Sequence, residues 1–152
     1  MLLDRYLPRI EFDSYEDFKK NYTVNTPDDF NFAYDIVDEW AKEDKEKKAL
    51  VWCDDNGGEV TLTFEEIRKL SNKAANYFKS IGLKKGSVAL LILRQRWEYW
   101  VIVTALMKLG VIFIPATLQL TKKDIAYRAN AAGVEMIICI DDDYVVGQVE
   151  AA

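Results

Sequence analysis

The chain has 152 residues, of which 50% are hydrophobic and 30% are charged, and its formal net charge at pH 7 is −5. This composition is typical of a globular domain, and the acidic balance disfavours nucleic acid or an anionic membrane surface as a partner, because both bind clustered lysine and arginine. The chain contains no histidine, which excludes from it every catalytic triad, general base and metal site that needs an imidazole.

Two cysteines, Cys53 and Cys139, lie within or at the end of apolar runs, which is typical of reduced core residues, although their positions leave a disulfide bridge open. The first residues lack the basic start and continuous apolar stretch of a signal peptide. The longest apolar run, around residues 101–107, is too short to span a bilayer. We therefore expect a cytoplasmic location and no membrane span.

The first part of the chain predicts two helices and a hairpin. Ser14 resembles an N-cap, and Thr26-Pro27-Asp28-Asp29 is a second candidate helix start, because proline is tolerated at the first helical position. Apolar residues at spacings of three and four then predict an amphipathic helix over residues 32–41. The β-rich segments around Asn56-Gly57 predict an antiparallel hairpin, because both turn positions favour positive φ. Its strands are Ala49–Cys53 and Glu59–Thr63.

The next part predicts a long helix followed by a β-α-β-α-β unit. A capping box at Thr63 and Glu66 begins the long helix, and Gly82 suits the left-handed residue that ends it. The right-handed crossover rule folds the following unit into an open, mostly parallel Rossmann-like sheet flanked by helices. The expected fold class is therefore α/β with an N-terminal β-hairpin. The predicted strands are Ser87–Leu93, Val111–Pro115 and Glu135–Ile140, and the predicted helices between them are Trp97–Leu109 and Thr121–Ala132.

Ligands bind open parallel sheets outside the carboxyl ends of the strands, which directs attention to three loops. Arg94 and Arg96 follow the first parallel strand, where they can bind a phosphate or form ordinary surface ion pairs. Gln119 follows the second strand in a loop of small residues and offers both a donor and an acceptor. Residues 141–143 are three aspartates, which we interpret as an acidic loop, because consecutive side chains point in different directions and rarely converge on a cation.

Three stretches, taken in their order and spacing, resemble the N-terminal part of an AMP-forming acyl-CoA synthetase of the adenylate-forming family. They are residues 62–66 (LTFEE), 82–86 (GLKKG) and 105–117 (ALMKLGVIFIPAT). Residues 30–35 and 115–121 are most similar to the medium-chain branch. The resemblance runs from about residue 30 to residue 141. It implies a single, incomplete α/β subdomain over residues 1–152, with residues 1–29 as an N-terminal extension, within the large N-terminal domain of such a ligase.

The resemblance implies a two-step reaction in which a carboxylic acid attacks the α-phosphate of ATP, with Mg²⁺ offsetting phosphate charge, and the CoA thiol then displaces AMP. The chain lacks the family's Ser/Thr/Gly-rich phosphate loop, its Tyr-Gly-x-Thr-Glu segment, its ribose-binding aspartate and its catalytic lysine. We therefore expect no catalytic residue here, no activity from the isolated chain and no tight binding of ATP, CoA or Mg²⁺ by it. The expected partners are the remainder of the ligase and a small carboxylic acid substrate.

The resemblance also implies two CoA-binding residues. Gln119 matches a glutamine that contacts CoA in similar medium-chain synthetases, and it lies in a loop that the strand order selects independently. Arg128 lies where some relatives of the acetyl-specific branch use an arginine to bind CoA. The alternative interpretation is that Arg128 is an exposed helix residue that binds no ligand.

Two other functions stay open on the sequence. One is a stand-alone module that binds CoA, a nucleotide or another protein and derives from the same fold. The other is an unrelated Rossmann-like enzyme that uses aspartate and arginine residues. Exposed apolar surface distinguishes a fragment from a stand-alone module, because a fragment exposes what its missing part would cover. The apolar helix Trp97–Leu109 and the last strand are the expected sites of such surface and of self-association.

Overall fold

A computed structural model describes residues 2–152, and its elements confirm the α/β class. A short 3₁₀ turn at Leu2–Arg5 comes first, and a π-helical segment at Ala33–Asp38 runs directly into the second α-helix. The strands are β1 (Lys48–Cys53), β2 (Glu59–Thr63), β3 (Val88–Ile92), β4 (Ile112–Pro115) and β5 (Met136–Cys139). The helices are α1 (Tyr15–Asn21), α2 (Glu39–Glu43), α3 (Phe64–Ser80), α4 (Trp97–Leu109), α5 (Lys122–Ala132) and α6 (Asp143–Ala151).

The predicted parallel sheet is present, with strand order β4-β3-β5, and β1 and β2 form the predicted antiparallel hairpin. Of the three parallel strands, β3 comes first in the chain and lies in the middle of the sheet, so the crossovers from β3 to β4 and from β4 to β5 run in opposite directions. Right-handed crossovers then place α4 and α5 on opposite faces of the sheet. The alternating side chains of β3 confirm this arrangement: Ala89 and Leu91 pack into the core with α3 and α4, whereas Leu90 and Ile92 pack with α5 and α6.

The predicted helix start at Thr63 is confirmed in detail. Thr63 Oγ1 accepts a hydrogen bond from the Glu66 amide at 3.2 Å, and the Glu66 carboxylate accepts one from the Thr63 amide at 2.8 Å. Beyond the other end of this helix, Gly82 has a φ of 108°, a conformation that residues with a Cβ rarely adopt. These local features explain why the boundaries of α3 are readable from sequence.

The first turn of α3 also predicts how stability depends on pH. Hydrogen bonds from the Arg68 guanidinium, at 2.6 and 2.8 Å, lower the pKa of Glu65 from 4.5 to about 2, and Lys69 acts in the same direction. A carboxyl group with a lowered folded pKa stabilises the fold above its unfolded pKa and loses that effect as the pH falls toward the folded pKa. The stabilisation from Glu65 is therefore full above about pH 4.5 and declines toward pH 2.

We expect the urea midpoint of the native chain to exceed that of Glu65→Gln at pH 7, and the difference to shrink steadily below pH 4.5. Unfolding curves of both proteins at four pH values between 2 and 7 measure it. A difference that stays constant over this range would contradict the assignment to the Glu65 carboxylate.

A buried ion pair joins α4 to the π-helical segment. Lys108 Nζ donates to Asp38 Oδ1 at 2.8 Å and to Asn72 Oδ1 at 2.7 Å, and the side chain of Lys108 is only 1% exposed. Burial lowers the pKa of Lys108, while the hydrogen bond to Asp38 opposes that shift. Sequence analysis missed this pair, because Lys108 lies near the end of an apolar helix and Asp38 lies 70 residues earlier.

Three local predictions differ from the structure. The helix predicted from Thr26 does not begin there: the chain turns at residues 28–29, and the helical segment starts after Asn31, whose Oδ1 accepts from the Ala33 amide at 3.0 Å. Both cysteines are free, as predicted, and the second difference is the burial of one of them. Cys53 is exposed, not a core residue, whereas Cys139 is half-buried and burial raises the pKa of its thiol.

The third difference lies after β5. The acidic loop predicted over residues 141–143 holds for residues 141–142, but Asp143 begins α6 and Asp142 is its N-cap. Between residues 2 and 152, no helix combines the length and hydropathy that crossing a membrane requires.

Candidate functional site

The loops that follow the three parallel strands lie along one edge of the sheet. The loop after β3 is central, because β3 lies between its two neighbours and the direction of strand succession reverses there. Such a reversal point is where open α/β sheets bind ligands. The carboxyl edge predicted from sequence is therefore the candidate site.

A cleft of about 560 Å³ lies where the β1–β2 hairpin faces the loops after β3 and β4; we call it the edge cleft. A second cavity of about 390 Å³ shares Trp52, Leu93, Arg94 and Gln95 with it. A third, of about 230 Å³, continues from Leu93 toward the end of β5. The edge cleft is lined by Trp52, Cys53, Asp54, Asp55, Leu93, Arg94, Gln95, Thr117 and Leu118.

The two arginines of the central loop have different surroundings. Arg96 donates to both carboxylate oxygens of Glu98, at 2.9 and 3.2 Å, and this pairing raises the pKa of Arg96. Arg94 is 63% exposed, and its nearest carboxylate oxygen belongs to Asp142 at 3.7 Å, beyond hydrogen-bond distance. The structure therefore leaves Arg94, and not Arg96, with donors available to a ligand.

A long-range hydrogen bond fixes the position of this central loop. The indole Nε1–H of Trp52 donates to the backbone carbonyl of Gln95 at 2.7 Å, although the two residues are 43 positions apart. Sequence analysis missed Trp52 as a site residue. The available signal was the alternation in β1, which places Leu50 and Trp52 on the half-buried face of the hairpin.

Gln119 lies in the loop after β4, as predicted, and it is exposed. Its backbone amide lies 3.4 Å from Thr117 Oγ1, and among residues 2–152 no hydrogen bond engages its side-chain amide. Thr117 lines the edge cleft, so the loop of Gln119 forms part of the cleft wall.

Arg128 lies in the second half of α5 and is directed along its own helix. Its Nη1 donates to the backbone carbonyl of Asp124 at 3.2 Å and lies 4.0 Å from the Asp124 carboxylate. Within the described part of the chain, no hydrogen bond or ion pair links Arg128 to Gln119. Neither residue is among those that line the edge cleft, but Thr117 and Leu118 in the loop of Gln119 do line it.

The three aspartates after β5 do not form a cation site. Asp142 Oδ1 accepts from the amides of Tyr144 and Val145, at 3.1 and 3.2 Å, and so caps α6. Across residues 2–152, no group of three or more acidic or cysteine side chains is arranged to hold a metal ion.

A more apolar cavity of about 320 Å³ lies away from the strand ends, between the hairpin, α3 and α4. The Thr104 hydroxyl in its wall already donates to the Trp100 carbonyl at 2.7 Å. Among the described residues, the polar side-chain groups of its lining are the Thr104 hydroxyl and the Trp100 indole, whereas the edge cleft also has a guanidinium and two carboxylates, which favours the edge cleft as the candidate site.

Comparison with known proteins identifies the family to which the chain is similar. The model of the AMP-binding enzyme family matches residues 37–152. Acyl-coenzyme A synthetase ACSM3, mitochondrial, of Rattus norvegicus is 38% identical over 136 residues, which cover 86% of this chain and 23% of the relative. Acyl-coenzyme A synthetase ACSM5, mitochondrial, of the same species is 42% identical over 121 residues, or 76% of this chain and 21% of the relative. The chain thus spans less than a quarter of the length of these curated relatives.

Solved structures share the fold. The Brucella canis acyl-CoA synthetase superposes with a TM-score of 0.80 at 20% identity, covering 93% of this chain and 28% of that one. The N-terminal domain of FACL13 from Mycobacterium tuberculosis gives a TM-score of 0.71 at 18% identity, over 81% and 31% of the two chains. The resemblance to acyl-CoA synthetases predicted from sequence is therefore confirmed, and the chain belongs to the AMP-binding enzyme family.

Proposed function

We propose that this chain is the N-terminal part of an AMP-forming acyl-CoA synthetase, which converts a carboxylic acid, ATP and CoA into acyl-CoA, AMP and diphosphate. The observation that carries the proposal is an open cleft at the carboxyl ends of the parallel strands, where α/β sheets bind ligands. It occurs in a chain that matches 23% of the length of an acyl-coenzyme A synthetase. In that reaction the carboxylate oxygen displaces diphosphate from the α-phosphate of ATP. The CoA thiol then attacks the acyl carbonyl and displaces AMP.

Within such a ligase, this chain supplies the central sheet and part of the entrance for CoA. Gln119 is the proposed CoA contact, because its exposed side-chain amide can donate and accept and its loop contributes Thr117 and Leu118 to the edge cleft. Arg128 is a second proposed contact, which has to release the Asp124 carbonyl before it reaches a ligand. The family's phosphate loop and ribose-binding aspartate, the Mg²⁺ site, the carboxylic acid pocket and the catalytic residues are assigned to the remainder of the ligase. Accordingly, we propose that the isolated chain is inactive.

The first experiment is to determine the size of the native gene product by immunoblot and intact mass, and then to assay it. We expect a product several-fold longer than 152 residues that forms AMP and acyl-CoA from ATP, CoA and a series of carboxylic acids. The 152-residue chain alone is expected to form neither the adenylate nor the thioester. Replacing Gln119 by alanine in the full product should raise KM for CoA about two- to tenfold, as loss of one uncharged hydrogen bond does, and leave KM for ATP unchanged.

A long product that forms no AMP from any carboxylic acid would contradict the proposal. A native product of 152 residues would instead favour a stand-alone module that binds CoA, a nucleotide or another protein.

A further inference from the structure

The edge cleft is lined by the guanidinium of Arg94, which has hydrogen-bond donors available to a ligand. Arg96 is held by both oxygens of Glu98, and Arg128 lies against the Asp124 carbonyl. Arg94 makes no hydrogen bond through its guanidinium within residues 2–152, and Asp142 is 3.7 Å away. An exposed pair at that distance contributes little to stability, so a ligand can replace it with little loss.

The loop that carries Arg94 is held in place before any ligand arrives. The Arg96 amide donates to the Arg94 carbonyl at 2.8 Å and closes a tight turn around Gln95. The Trp52 indole donates to the carbonyl of Gln95 at 2.7 Å and ties this turn to the hairpin. Restraint of the backbone in the free protein reduces the ordering cost of binding, which makes Trp52 a positioning residue for Arg94.

The remaining lining of the cleft restricts the chemistry of its ligand. Two aspartates line the cleft together with Arg94 and the Thr117 hydroxyl. Asp54 is engaged by its own turn, since its Oδ1 accepts from the amides of Gly58 at 2.7 Å and Asn56 at 2.9 Å. Two carboxylates beside one guanidinium disfavour a purely anionic ligand, such as inorganic diphosphate. The lining suits a ligand that carries a phosphate group for Arg94 and also has hydroxyl or amino donors for the acceptors.

We propose that Arg94 binds a phosphate group of a nucleotide ligand in the edge cleft and that Trp52 positions it through the carbonyl of Gln95. The inference rests on the proposed function, which supplies two such ligands, CoA and ATP. Arginine suits this role because its planar array of donors matches two phosphate oxygens.

The test compares the native gene product with four variants, Arg94→Ala, Arg94→Lys, Arg96→Ala and Trp52→Phe. Calorimetry measures the Kd of each for CoA, dephospho-CoA, ATP and inorganic diphosphate, and steady-state assays measure KM and kcat. We expect Arg94→Ala to weaken binding of one nucleotide about tenfold or more, as loss of a charge-assisted hydrogen bond does, and Arg94→Lys to restore part of it. Arg96→Ala, the matched control, should stay within about twofold because Arg96 serves Glu98.

Trp52→Phe keeps the aromatic ring and removes the N–H donor. We expect this variant to raise the Kd and KM for the same nucleotide about two- to tenfold and to leave kcat unchanged, as a positioning role predicts. A merely structural role would instead lower thermal stability and affect all ligands alike.

The ligand series identifies the source of the phosphate. An effect on CoA that disappears with dephospho-CoA assigns the 3′-phosphate, an effect on both assigns the diphosphate of CoA, and an effect confined to ATP assigns the nucleotide substrate. The inference is overturned if Arg94→Ala binds every ligand as the native protein does, if Arg96→Ala has an equal effect, or if the native protein binds none of them. Binding that depends on Arg94 in a product that makes no acyl-CoA would support the inference and contradict the proposed function.

Discussion

Replacing Lys108 by methionine is expected to lower the free energy of unfolding by about 3–5 kcal/mol, because it leaves a buried carboxylate without its partner. The Lys108 side chain is 1% exposed and its ammonium group donates to Asp38 and Asn72 at 2.8 and 2.7 Å. Methionine fills a similar volume, so the loss reports the charge and not a cavity. Urea unfolding at pH 7, followed by tryptophan fluorescence, measures it.

Two further variants distinguish this explanation from a general sensitivity of the helices to substitution. Adding Asp38→Leu to Lys108→Met removes both charges and should recover most of the lost stability, since an apolar pair is often as stable as a buried ion pair. Lys79→Met changes an exposed lysine at the end of α3 and should stay within about 0.5 kcal/mol of the native chain. If Lys108→Met alone lowers the free energy of unfolding by less than about 1 kcal/mol, the ion pair is not buried in solution.

Replacing Ile125 by alanine is expected to destabilise the fold by about 2–5 kcal/mol. Ile125 is 1% exposed and lies in the core on the α5–α6 face of the sheet, with Leu90, Ile92 and Val145. The cost combines lost apolar burial with a cavity between elements that cannot close around it. Chemical unfolding with two independent probes measures the change.

The matched control lies two residues further along the same helix. Tyr127 is 72% exposed, so Tyr127→Ala should change stability by no more than about 0.5 kcal/mol. Equal effects at the two positions would mean that α5 does not pack on the sheet as described.

The elements of the β-α-β-α-β unit were predictable from sequence because their determinants are local. Apolar runs mark the strands, and the predicted bounds of α4, Trp97–Leu109, agree with the structure. The helix α6 was missed for a local reason too. Three consecutive aspartates are typical of a loop, and only the hydrogen bonds from Tyr144 and Val145 identify the middle one as an N-cap.

The site was predictable in position but not in detail. Strand succession placed the central loop and the loop of Gln119 at one edge, and both lie there. Sequence could not show which arginine is free, because that depends on Glu98 accepting from Arg96 and on Trp52, 43 residues from Gln95. Contacts of this kind have no periodicity in the sequence. The roles of Gln119 and Arg128 toward CoA stay predictions.

The central place of β3 also has a consequence for synthesis of the chain. A ribosome delivers this apolar strand before either of its neighbours, and the partner of Ile92 in β5, Cys139, follows 47 residues later. At a synthesis rate of about 5–20 residues per second, one edge of β3 waits roughly 2 to 9 seconds for its strand. During that interval the nascent chain presents unpaired backbone groups beside Leu90 and Leu91, which attract other exposed strands. Slow translation of α5 would therefore lengthen the period in which the nascent chain is prone to aggregate.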